Sequence, residues 1–156
     1  MSIIQIALWA ILITTSPQTT NGWKALVPLR STRNDVERLL GSPTNACTEL
    51  CRYDTRSERV FVRYSDEACK KGEASPLNIP PNTIVSMTVY PHPEARLRDL
   101  KLDERKFKKT NDPELHGYST FTSRELGVAY EVSDKNMILS IEWFGAAKNI
   151  EALRCR

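Results

Sequence analysis

Hydrophobic and polar positions alternate with a period near two over most of the chain, and one short stretch departs from this with a clear helical period. That stretch is STRNDVERLLGSP, residues 31–43. Val36, Leu39 and Leu40 fall at i, i+3 and i+4 and form one apolar stripe, while Arg33, Asn34, Glu37 and Arg38 face away. Thr32 stands at the N-cap with Asp35 three residues on, a capping-box arrangement with Asp in the place usually held by Glu. Gly41 supplies the left-handed terminating residue, and Pro43 prevents continuation. So short a helix is marginal alone, and its stripe is expected to be buried against strands that include residues 60–64 and 84–89.

Strand patterns fill most of the remainder. CRYD and RVFVRYS flank the polar segment TRSE and predict a hairpin, with Val60, Val62 and Tyr64 on one face and Phe61 and Arg63 on the other. KKGEASPLNIPPN has no periodicity and is expected to form an ordered surface loop. TIVSMTVYP is the next strand, its apolar face made by Val85, Met87 and Val89 and its other face by Ile84, Ser86, Thr88 and Tyr90. Residues 94–109 mix charge with Leu97, Leu100, Leu102 and Phe107, and the three-residue spacing of Leu97 and Leu100 points to a short helix there. YSTFTS, GVAYEV and MILSIEWF complete the strands, the last two joined by the polar turn SDKN. TRSERVFVRYSDEA resembles TSRELGVAYEVSDKN, which suggests two similar sheet units inside one domain. The fold class expected is α+β, an antiparallel sheet of about five to seven strands with one or two short helices packed on one face.

Length and composition narrow the picture without selecting an activity. The 156 residues, 40% hydrophobic and 26% charged, suffice for one ordinary domain with a core of its own. A net charge of +3 from 22 basic and 19 acidic residues is far from the one-sided field of a nucleic-acid binder, so no nucleic-acid partner is expected. The leader MSIIQIALWAILITTS is apolar from Ile3 to Ile13 apart from Gln5, too short for a bilayer span of about 20 residues but suited to the apolar region of a secretory signal. It lacks a Lys or Arg at its start. Residues 1–21 are accordingly assigned to a signal peptide and residues 22–156 to a single α+β domain, exported to the periplasm or beyond, with no transmembrane span in the mature protein.

Four cysteines, Cys47, Cys51, Cys69 and Cys155, agree with an oxidising compartment and predict two bridges. Joining Cys69 to Cys155 closes a large loop and restricts the unfolded chain by roughly 4 to 5 kcal/mol. Cys47 and Cys51 then pair locally, which requires a turn at Thr48–Leu50. The competing pairing, Cys47 with Cys69 and Cys51 with Cys155, needs less local bending and stays open at this point. Neither histidine lies near a cysteine in sequence, and paired CxxC spacing is missing, so no metal site is expected.

The segments GWKALVPLRSTRNDVERLLGSP, VFVRYSDEAC, NIPPNTIVSMTVYP, DLKLDERKFKK and the terminal LRC resemble a family of small uncharacterised exported bacterial proteins, over nearly all of residues 22–156. The resemblance implies export and no particular activity. STRNDVERLLGSP alone is similar to the threonine-capped helix of SmpA/OmlA-type outer-membrane assembly lipoproteins, in which short helices pack on a small antiparallel sheet. The lipidated cysteine of those proteins has no counterpart here.

Catalytic chemistry finds no motif. His92 and His116 lie in PHP and ELHG beside loop formers, there is no Gly-rich phosphate loop among six glycines, and no catalytic, cofactor-binding or metal residues are assigned. The basic residues of 94–109 outnumber the acidic ones, but the acids are interleaved and the segment is taken as a solvated face. Adjacent strand residues Trp143 and Phe144 must point to opposite faces, so one of them marks a surface covered by a loop or a partner. These features favour a non-enzymatic interaction or envelope-associated module whose partner is another envelope or extracellular protein. A hydrolase whose site assembles only in the fold is the alternative, to be recognised by a deep pocket joining His92 or His116 to an acid and a Ser or Thr.

Overall fold

The alternating segments pair into one antiparallel sheet of seven strands in a computed structural model that describes residues 22–72, 76–93, 95–111 and 117–155. In chain order the strands are β1 (Leu50–Asp54), β2 (Glu58–Tyr64), β3 (Ile84–Pro91), β4 (Lys108–Asn111), β5 (Tyr118–Ser123), β6 (Val128–Ser133) and β7 (Ile138–Phe144). Helix α1 (Arg33–Leu40) precedes them and α2 (Ala147–Ala152) follows. Across the sheet the order is β1-β2-β3-β7-β6-β5-β4, with every neighbouring pair antiparallel. Two three-stranded meanders, β1-β2-β3 and β5-β6-β7, therefore lie side by side along β3 and β7, and β4 is added outside the second. The two mutually similar sequence segments occupy the middle strand of each meander. The leader, residues 1–21, lies outside the described residues.

One face of the sheet carries the main core. Cys51 and Tyr53 of β1, Val60, Val62 and Tyr64 of β2, Met87 and Val89 of β3, Trp143 of β7 and Val128 of β6 are buried there together. Trp23 and Leu26 close over them from a tight turn ahead of α1, and Val36 enters from the helix with no exposed surface. Each of the aliphatic side chains so buried contributes about 1.5–3 kcal/mol relative to exposure. Phe144 sits half-buried on the opposite face while Trp143 is in the core, the separation that strand alternation demands. Gly127 turns the chain from β5 into β6 at φ +66, where a Cβ would lie 2.3 Å from the Phe144 carbonyl oxygen.

The ends of α1 are as the sequence predicts. The Thr32 side chain and the Asp35 carboxylate each accept from the other's backbone N–H, and Gly41 ends the helix at φ +82. Its rotation differs. Leu39 is 47% exposed, so the expected burial of Val36, Leu39 and Leu40 as a unit is corrected: Val36 is fully buried, Leu40 is partly buried, and Leu39 lies on the flank. Arg33 causes this. Its guanidinium stacks 4.6 Å from the Tyr64 ring centroid and donates to the Thr48 carbonyl, instead of facing away. The side of the helix turned to the sheet thus runs through Arg33, Val36 and Leu40, at i, i+3 and i+7, and Leu39 falls about 100° from its middle.

One strand expectation is also corrected. The β2–β3 register passes from Arg63 opposite Ser86 to Tyr64 opposite Ile84, leaving Val85 as an extra residue. This irregularity returns Ile84 to the core side, fully buried, and leaves Val85 partly exposed. In 94–109 the expected short helix is a 3-10 helix over Leu97–Leu100, and a second 3-10 turn follows at Glu104–Lys106. The second α-helix is α2, whose start is fixed by Ala147 N–H donating to the Arg124 carbonyl.

The bridges are Cys47–Cys51 and Cys69–Cys155, with Cα separations of 5.2 and 5.6 Å. The first closes a ring over Thr48–Leu50. The second joins the β2–β3 connection to the chain's end, where Asn78 N–H donates to Leu153 and Cys155 N–H to Pro76.

Candidate functional site at the β4 margin

β4 is the outermost strand, and all four of its residues are exposed. Lys109 stands opposite Phe121 on the core face of the sheet, whereas Lys108 and Thr110 stand opposite Thr122 and Thr120 on the other face. The 3-10 turns bring Leu97, Leu102 and Phe107 over the core-face side, and Phe107 anchors the segment through a tilted ring contact with Tyr130 at 5.8 Å. The result is a groove of about 530 Å³ floored by Leu97, Leu102, Phe107 and Phe121 and rimmed by Arg98, Lys101, Lys109, Glu104 and Asn136. Lys109 lies 5.5 Å from the Phe121 ring centroid, its ammonium held over an aromatic face.

The opposite face carries a second groove, of about 500 Å³, lined by Arg105, Lys106, Phe107, Lys108, Thr110, Thr122 and Arg124. Four cations and no acid line it. Arg105 is paired with Asp103 at 2.9 Å, which holds the Asp103 carboxyl below its usual range, and Lys106 lies 3.8 Å from Glu125. Lys108, Arg124 and, in the first groove, Lys101 have no acidic partner among the described residues. These side chains are exposed and hydrated, and what they offer is a local positive field beside a strand edge.

The other hollows are partly neutralised from within, Arg30 and Arg56 having no acidic partner among the described residues. The groove of about 430 Å³ between the first turn and α1 contains Lys24, Arg30, Arg38 and the displaced Leu39, but Lys24 is paired with Glu58 and Arg38 with Asp35. Asp35 is held below the ordinary carboxylate range chiefly by the Thr32 backbone N–H. His92 lies in a shallow hollow of about 390 Å³ with Asp54, Ser57 and Glu58. Its imidazole makes no hydrogen bond to any of them, and Ser57 Oγ is turned to the Glu58 carboxylate at 3.5 Å. His116 lies outside the described residues. Among the described residues no cluster of three or more His, Cys, Asp or Glu is placed to hold a metal ion.

Thr32, Asp35, Val36, Leu40 and Gly41 form and seat one helix, and Cys47, Cys51, Cys69 and Cys155 hold the chain at two places. None of them lies in the β4 grooves. Most of the residues that do belong to 94–109, which the sequence presents as a solvated face, and Thr110, Phe121, Thr122, Arg124 and Asn136 join them from outside it; KKTN, which is β4, gives no strand signal because nothing in it is buried. The interleaving of Phe107 with RK and KK was the available clue. No family model, no curated protein and no solved structure matches the chain.

Proposed function

We propose that the chain is an exported interaction module, held by two disulfides in an oxidising compartment and acting through the β4 margin on another envelope or extracellular protein. The observation that carries this reading is the contrast between a filled core and one sheet margin where two grooves converge with cations that have no acidic partner among the described residues. The bridges support an oxidising environment, since such pairs persist outside the reducing cytosol. No helix among the described residues is long and apolar enough to cross a membrane. The apolar leader and the resemblance of the capped helix to outer-membrane assembly lipoproteins favour an envelope setting. The hydrolase alternative needs His92 or His116 joined to an acid and a Ser or Thr; His92 makes no such contact with Ser57, Asp54 or Glu58, and His116 lies outside the described residues.

Expression of the full chain with fractionation, followed by N-terminal sequencing and pull-down from envelope extract under non-reducing conditions, tests the proposal. A product outside the cytoplasm that begins between about residues 17 and 23 and captures a specific protein is the expected result. An intact Met1 on a cytoplasmic product, or a disulfide-intact bait that retains nothing above a control, overturns it.

A further inference from the structure

We propose that β4 receives an extended segment of a partner polypeptide in which acidic and apolar residues alternate, added as an eighth strand. This deepens the module reading and rests on it. β4 ends the sheet with no strand on its outer side among the described residues, so its outward N–H and C=O groups are available for main-chain pairing. The two grooves lie on opposite faces of this one strand, because Lys109 and Phe121 belong to one and Lys108, Thr110 and Thr122 to the other. A strand laid beside β4 sends successive side chains alternately to those two faces. One set meets an apolar floor containing Leu97, Leu102, Phe107 and Phe121; the other meets Lys108 and Arg124, which have no acidic partner among the described residues. The chemistry that satisfies both is apolar on one face and carboxylate on the other.

Lysines on an edge ordinarily repel stray strands, and here they select among them. A second copy of this chain paired through β4 would set Lys108 and Lys109 against like charges. Its β1 margin is no better, since Thr44 N–H donates to the Arg52 carbonyl at 2.7 Å and the Asn45 side chain accepts from Arg52 N–H at 2.7 Å. The occupant is therefore an acidic segment of a different protein.

The test uses the folded, disulfide-intact chain and a labelled ten-residue peptide of alternating Glu and Val, with four comparisons. These are a scrambled isomer of the same composition, a pair of forms N-methylated at alternate backbone positions in the two registers, a Lys-for-Glu counterpart, and vesicles rich in phosphatidylglycerol. The alternating peptide is expected to bind and to shift backbone amide resonances of 108–111 and 118–123. The scrambled and Lys peptides should bind weakly or not at all, N-methylation of the outward-pairing positions should abolish binding, and Lys108→Glu with Lys109→Glu should weaken it by roughly tenfold. Equal binding of the scrambled or both N-methylated registers, binding to vesicles alone, or no peptide binding would each overturn strand addition. In the envelope pull-down, a partner retained equally by the wild type and the double variant leaves the module reading standing and removes β4 from it. No partner for either protein defeats the module reading itself.

Discussion

The β1 margin of the sheet is sealed by its own chain, with Thr44 and Asn45 bonded to Arg52, the Cys47–Cys51 ring closed beside them and α1 seated over Tyr64, whereas β4 has exposed lysines and two flanking grooves. Both margins face the same physical problem, a row of unpaired backbone groups. One is covered with polar side chains, a bridge and a helix; the other is protected only by charge. On the proposed reading, stability and recognition are thereby separated along one sheet. Near β1, Tyr53 and Tyr64 are buried with their hydroxyls 2.9 Å apart, and burial pushes both phenols up. Near β4, Phe107 and Tyr130 provide the ring contact that seats the 3-10 segment.

Core truncation at the sealed margin is the strongest way to break this comparison. Val36→Ala removes two methyl groups from a fully buried site and is expected to cost about 2–3 kcal/mol by urea unfolding. Leu39→Ala, only three residues on, should stay within about 0.5 kcal/mol. Equal losses at the two positions would mean that Arg33 does not set the helix rotation. At the other margin, Lys108→Ala should leave the unfolding midpoint essentially unchanged, because nothing in the fold depends on that ammonium.

Opening the small ring sharpens the contrast at a lower energy. Replacing Cys47 and Cys51 together by Ala frees a loop with a sequence separation of only 4, which the chain-entropy model values at about 2 kcal/mol. The diagnostic readout is local: hydrogen exchange at Arg52 N–H, now held by Asn45, should accelerate far more than exchange in β6. Uniform acceleration across the sheet would show that the ring supports the whole fold and not one margin.

What was legible in the sequence follows from how local each signal is. Thr32, Asp35, Gly41 and Pro43 mark the helix because caps act within a few residues, and the alternation of β2, β5, β6 and β7 is visible because one face of each enters the sheet's interior. The rotation of α1 was not legible, since it depends on Arg33 meeting Tyr64 from 31 positions away. Nor was the exchange of Ile84 for Val85, which arises from a register shift against β2. The candidate site was hidden for a related reason. Asp103 and Glu104 balance the basic run in sequence, but Asp103 is bound to Arg105, and the fold brings Arg124 to Lys108 across a hairpin. The net charge of a segment does not reveal which charges remain unpaired after folding.

The smallest expected effect compares the two faces of β7, a central strand, and concerns Glu142. It lies opposite Thr88 and Ala129 on the face away from the main core, half-buried, and burial raises its carboxyl above the ordinary 4.5 although Arg63 and a Ser86 hydrogen bond act the other way. A carboxyl whose pKa is higher in the folded than in the unfolded chain favours folding fully below the unfolded value, and loses that contribution as pH rises through the folded one. At pH 7 the ionised Glu142 therefore weakens the fold. Glu142→Gln keeps the shape and removes the charge, so thermal melts at pH 7 should show a small gain for the variant, shrinking toward zero as pH falls below about 4. A loss at pH 7 instead would mean that attraction to Arg63 outweighs burial, and that this face of the sheet is held together by its charges.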